Sequence, residues 1–214
     1  MKIQNSSYIT CSEPGDVCPV FRRVFHISKE VSSAQLEITA LGVYEAELNG
    51  KRVGQFVLAP GWTSYQKRLQ VQRYDVTDLL SAENELCVTV GKGWFRSPMP
   101  GFEASEEKAR RVNQPCGLIA ALTLRYTDGS IETIYTDENW QTGESAVRFS
   151  EIYDGERYDA AFETKDWQRA RLLDWPKEIL IEQEGEEIRE IERIGARRVF
   201  TDPDGETVVD FGQE

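Results

Sequence analysis

Ala34-Gln35-Leu36-Glu37-Ile38-Thr39-Ala40 alternates apolar with polar side chains, and this period of two decides the fold. Successive strand residues point to opposite faces, so the stretch has one face to bury and one to leave in water. Working outward, Val43 to Leu48 resumes the pattern and stops at Asn49-Gly50. Both residues tolerate the positive φ of a two-residue hairpin turn, so Val53 to Leu58 is expected to return as the partner strand.

The same signal recurs in Arg68 to Tyr74, Glu85 to Val90, Leu118 to Tyr126 and Ile131 to Tyr135, the last two flanking the turn Thr127-Asp128-Gly129-Ser130. Helical periodicity is nearly absent. Asp78 to Ala82 suits one turn capped by Thr77, and Glu103 to Val112 suits a short helix. Many short strands between turn signals specify an all-β fold, a jelly-roll or galactose-binding-like β-sandwich, because each half-apolar sheet needs a second to cover it.

Trp175-Pro176 marks a boundary, since proline disfavours continuing a regular element and an acidic stretch follows. We expect residues 1–178 to form the sandwich and residues 179–214 to open a second, incomplete β domain. Ile188 to Ile194 and Thr207 to Phe211 are its expected strands, around the turn Pro203-Asp204-Gly205. So short a segment cannot bury a core of its own.

The 214 residues carry 25 basic and 37 acidic side chains, a net charge of -12. Such a surface repels phosphate backbones and anionic lipid, so neither nucleic acid nor membrane is an expected partner. No signal-peptide pattern or apolar stretch of membrane-spanning length is legible, and the expected location is cytoplasmic. Cys11, Cys18, Cys87 and Cys116 make neither a zinc pattern nor a dense disulfide framework, and are expected to be reduced thiols.

Several segments together resemble the N-terminal region of bacterial α-L-rhamnosidases of glycoside hydrolase family 78. They are Ile38 to Glu45, Leu48-Asn49-Gly50-Lys51-Arg52-Val53-Gly54, Leu58-Ala59-Pro60-Gly61-Trp62-Thr63-Ser64-Tyr65, Tyr74 to Leu80, Gly91-Lys92-Gly93-Trp94-Phe95-Arg96, Ile152 to Ala160 and Val209-Asp210-Phe211-Gly212-Gln213. The resemblance implies an accessory β-sandwich, truncated before the (α/α)6 barrel that holds the catalytic carboxylates of an inverting glycosidase. It also implies that the Asp-Phe-Gly-Gln segment opens a second β domain. Where many relatives have Gly-Asp-Gly-Trp, this chain has Gly91-Lys92-Gly93-Trp94. The implied partners are the catalytic domain of the same polypeptide and rhamnose-containing carbohydrate.

No catalytic residue is assigned to this chain. His26, the sole histidine, offers little for a triad or a multi-histidine metal site and is read as structural. Sugars stack on aromatic rings and take paired hydrogen bonds from Arg and carboxylates, so the candidate substrate-binding residues are Trp94 with Arg96, and Tyr153 with Asp154, Glu156 and Tyr158. The plainer reading of each loop is that its rings plug the ends of the core. Asn49, Asp75, Asp128 and Asp154 carry oxygens suited to a loop-bound calcium, yet they form no spaced acidic loop and are read as turn residues; no metal is assigned. A free-standing carbohydrate-binding module and a purely structural interdomain spacer are the alternatives.

Overall fold

The computed structural model describes residues 1–12, 15–98 and 111–213. Two sheets face each other. The larger has the order β14 (Arg171–Leu173), β1 (Tyr8–Thr10), β8 (Gly117–Tyr126), β3 (Val31–Leu41), β6 (Leu69–Asp75) and β15 (Leu180–Glu182), with β9 (Ile131–Tyr135) paired to β8 beyond the end of β1. The smaller runs β13 (Gln168–Arg169), β10 (Gln141–Glu144), β2 (Pro19–His26), β7 (Glu83–Gly91), β4 (Val43–Leu48) and β5 (Lys51–Arg52). Two hairpins stand apart, β11 (Val147–Glu151) with β12 (Gly155–Tyr158) and β16 (Arg198–Thr201) with β17 (Thr207–Asp210). The fold is thus an all-β sandwich followed by a separate two-stranded ribbon.

The alternation in β3 and β8 puts Leu36, Ile38, Leu118, Ala120 and Leu122 against Tyr44, Ala46, Leu48, Leu86 and Val88 of the smaller sheet. Trp140 closes this core, fully buried, with Nε1 donating to the Tyr135 carbonyl at 3.0 Å. The larger sheet is covered on its other face as well. There Ile119, Ala121, Leu69 and Val71 pack with Ile3, Tyr65, Phe95 and Ile179 in a second apolar cluster. Burial on both faces explains why Leu118 to Leu122 is a continuous apolar run.

Polar ties join these layers. The Tyr44 hydroxyl donates to Gln72 Oε1 at 2.9 Å across the sandwich. Buried Glu37 accepts the Ile3 amide at 2.8 Å and Arg73 Nε at 3.0 Å, and Arg73 Nη2 reaches Glu182 at 2.7 Å. One guanidinium therefore holds β3, β6 and β15 side by side. β15 pairs parallel to β6, so the first sheet runs past the expected division at 178/179.

The structure corrects three local expectations. Asn49 and Gly50 do make the turn, at φ 57° and 71°, but its return strand is only Lys51–Arg52 and not Val53 to Leu58. Gly54 at φ 71° and Leu58 at φ 62° turn the backbone out of strand geometry. Ile188 to Ile194 is not a strand; it is exposed, with the Ile188 carbonyl accepting the Val57 amide, and β17 takes Arg198–Thr201 as its partner. The helical turn is Thr77–Leu79, and Thr77 lies inside it: Asp75 accepts the Thr77 amide at 3.0 Å, while Thr77 Oγ1 accepts from the Ala34 amide. The helix expected over Glu103 to Val112 lies, apart from its last two residues, outside the described residues.

Candidate functional site

The two candidate loops flank one end of the sandwich. The first is a single helical turn, α1 (Gly93–Arg96), following β7 directly. Gly93 adopts φ 52°, and a Cβ there would fall 2.9 Å from the Val43 backbone nitrogen, so only glycine lets the turn seat against β4. Seating α1 in this way turns Phe95 into the second core, edge-on to Tyr65 and to Trp175 at centroid distances of 5.4 and 5.8 Å.

Trp94 and Arg96 leave α1 in different directions. The Trp94 indole packs beside the second core and stacks on Trp62, 58% exposed. Trp62 belongs to Leu58 to Tyr65, a stretch that carried the resemblance but supplied no candidate site residue. An exposed ring after a Pro-Gly turn was the available signal. Arg96 is buried and lines a cavity of about 410 Å³ with Asp16, Lys92, Phe149, Glu151 and Asp154.

The second loop is the turn of the β11–β12 hairpin. Burial opposes the charge of Glu151, but a hydrogen bond from Ser97 and the amides of Tyr153 and Asp154, at 2.7 and 3.0 Å, hold its carboxyl below the usual range. This buried carboxylate shapes the turn and went unnoticed in the sequence because nothing local marks it. Asp154 faces the Arg96 cavity, whereas Tyr153 is exposed at the tip. Glu156 and Tyr158 line a separate groove of about 570 Å³ on the outer face of β4 and β7, with Glu45, Glu47 and Arg52. The six candidates therefore do not converge: Arg96 and Asp154 line one cavity, Glu156 and Tyr158 share a groove, and Trp94 joins Trp62 instead.

The Arg96 cavity mixes both signs of charge, with Lys92 and Arg96 among Asp16, Glu151 and Asp154. Lys92 Nζ lies 2.6 Å from Asp16 and 4.9 Å from the Phe149 ring centroid, and a hydrogen bond from Lys92 draws the Asp16 carboxyl down from its ordinary pKa. An aromatic wall beside two cations and three carboxylates suits a polyhydroxylated ligand better than a charged one. Of the turn oxygens considered for calcium, Asp75 and Asp128 accept amides two residues ahead, and Asn49 Oδ1 accepts the Glu85 amide. Among the described residues no group of three or more His, Cys, Asp or Glu side chains could hold a metal. His26 is exposed and sits 2.7 Å from Glu83 across the β2–β7 ladder.

The α-L-rhamnosidase N-terminal domain family matches residues 29–192 of this chain. An α-L-rhamnosidase of Streptomyces avermitilis is 37% identical over 198 residues, which are 86% of this chain but only 19% of that protein. The crystal structure of an α-L-rhamnosidase from Aspergillus terreus superimposes with a TM-score of 0.88 at 35% identity, covering 99% of this chain and 26% of the other. The structure of the Streptomyces avermitilis enzyme complexed with L-rhamnose gives a TM-score of 0.80 at 32% identity, over 92% of this chain and 20% of that one. The chain thus spans about a fifth to a quarter of the length of these relatives.

Proposed function

This chain belongs to the α-L-rhamnosidase N-terminal domain family, and from that premise we propose that it is a non-catalytic accessory domain of a longer α-L-rhamnosidase. The whole enzyme would hydrolyse terminal α-L-rhamnosyl residues from glycosides, with the domain packed against a catalytic domain of the same polypeptide.

The extent of the match carries the non-catalytic reading: the chain matches a family of N-terminal domains and covers 19% and 26% of two of its relatives. Glycoside hydrolysis needs one carboxylic acid held protonated, through a raised pKa, opposite a second carboxylate. Among the described residues, every carboxylate whose pKa is displaced is displaced downward: Asp16, Asp75, Asp128, Glu151 and Glu190. Each is committed to a backbone amide, a hydroxyl or a cation. Incubating the purified chain with an aryl α-L-rhamnoside should release no aglycone; turnover of ~1 per second or faster overturns the reading.

A second reading, sugar recruitment, rests on the Arg96–Asp154 cavity and the indole pair. Arg96 and Asp154 would hold hydroxyls of a rhamnoside against the Phe149 wall, at an affinity near millimolar, about -4 kcal/mol. Titration with L-rhamnose, with and without a calcium chelator, should move the tryptophan fluorescence of the wild type and leave that of Asp154→Ala unchanged. A wild-type signal indifferent to the sugar leaves the spacer role.

A further inference from the structure

The four cysteines are all free, but two of them are not far apart. β1 runs antiparallel to β8 with Ile9 opposite Leu118. Continued one residue past the end of each strand, that register sets Cys11 opposite Cys116. Facing residues of an antiparallel ladder have Cα atoms about 4.5–5.5 Å apart, inside the window of roughly 4.4–6.8 Å that a disulfide requires. A neighbouring contact supports this register: Thr10 Oγ1 donates to the Cys116 carbonyl at 2.6 Å.

Their surroundings differ in a way that assigns roles. Cys116 is fully buried, whereas Cys11 is half-buried and opens on a cavity of about 670 Å³ lined also by Thr142, Gly143, Thr164 and Asp166. The Cys116 thiol donates to the Cys11 sulfur, and the Arg96 charge lies close enough to favour a thiolate there. Together they bring the Cys11 pKa down to about 7 against the effect of burial. The shared hydrogen bond and burial push Cys116 well up. Burial likewise raises Cys18 to about 11 and Cys87 to about 12, so those two remain thiols at neutral pH. A half-buried thiolate open to a cavity, beside a protected second thiol, is the arrangement of a peroxide-reactive and a resolving cysteine.

We propose that Cys11 and Cys116 form a reversible intramolecular disulfide when the domain meets a peroxide, locking the first strand to the central strand of the larger sheet. The Cys11 thiolate attacks one peroxide oxygen and the O–O bond breaks, giving a sulfenic acid and hydroxide. The Cys116 sulfur then attacks the Cys11 sulfur, its proton leaving with the displaced hydroxyl as water. Two thiols are oxidised and one hydrogen peroxide is reduced to two waters. A dithiol reductant reverses the bond.

The test is made on the full 214-residue chain. It is exposed to hydrogen peroxide at neutral pH, blocked with an alkylating agent and mapped by mass spectrometry without reduction. The expected product is a Cys11–Cys116 cross-linked peptide two hydrogens lighter than the sum of its parts, lost on adding dithiothreitol, with Cys18 and Cys87 still alkylated. In Cys116→Ala, Cys11 should be trapped as a sulfenic acid by dimedone instead. A wild-type map in which Cys11 and Cys116 stay alkylatable at peroxide concentrations that oxidise methionine overturns the proposal. So does a map in which Cys11 pairs with Cys18 or with another molecule. The wild-type result decides even if the variant fails to fold.

Discussion

The indole rings of Trp62 and Trp94 lie 6.0 Å apart between centroids and 6° from parallel. That spacing and angle describe an offset stack, which draws together a loop on the chain ahead of β6 and the turn after β7. The pair is asymmetric, because Trp94 also packs against the second core while Trp62 is mostly exposed. Trp94→Ala should therefore cost roughly 2–4 kcal/mol in urea unfolding, and Trp62→Ala under about 1 kcal/mol. Equal costs would mean that the stack, and not the core contact, holds α1 in place.

Glu37 is, with Glu151, one of the two buried acids among the described residues. Glu37→Gln keeps a carbonyl for the Ile3 amide but removes the charge facing Arg73, and the new amide nitrogen has no carboxylate to meet. We expect a loss of about 2–3 kcal/mol in chemical denaturation, below the ~3–5 kcal/mol of a fully buried pair because Arg73 is partly in water. Arg73→Lys should lose less. A neutral Glu37→Gln would show that the amide contact alone fastens the N-terminal turn.

Glu151 makes stability depend on acid. Its pKa is lower folded than unfolded, so below the ordinary carboxylate range the unfolded chain binds more protons. The stabilisation is complete above a pH of about 4.3 and is lost as pH falls through the folded value. Glu151→Gln should lower the urea midpoint at pH 7, and the gap from wild type should narrow as the pH is taken below 4. Parallel curves over that range would show that the charge contributes nothing beyond the hydrogen bonds.

Amide hydrogen exchange should divide the C-terminal region in two. Leu180–Glu182 hydrogen-bonds to β6, and Leu180 is buried, so this strand should exchange slowly with the main sheet. Residues 186–197 form no strand and are exposed, and should exchange fastest. Protection there matching Gly117–Tyr126 would require those residues to pack on the sandwich.

The sandwich was legible because it is written in local patterns: alternation in Ala34 to Ala40, an Asn-Gly turn, and the apolar run of Leu118 to Leu122. What was not legible depends on distant parts. Nothing in Leu180-Ile181-Glu182 says that it will join β6 in parallel, since Arg73 that anchors it is far away in sequence. Val53 to Leu58 has strand-like composition, but its backbone is bent by positive φ at Gly54 and Leu58. The candidate site was legible by residue type only. Trp94 and Arg96, two residues apart, suggested one surface, yet on a single helical turn they diverge, and Asp154 lines the Arg96 cavity from a hairpin turn whose amides Glu151 accepts. The facing of Cys11 and Cys116 is likewise a matter of register, and their spacing along the chain conceals it.

The position of β1 sets a timetable for the ribosome. Its strand lies between β8 and β14, with Tyr8 opposite Leu173, so β1 waits for a strand far along the chain to complete it. At ~5–20 residues per second, on the order of ten seconds or longer passes between the synthesis of these partners. Through that interval a nascent chain carries an unpaired strand edge. The tract that finally covers it emerges just ahead of Leu180–Glu182, so translation of this one segment closes both edges of the larger sheet almost together.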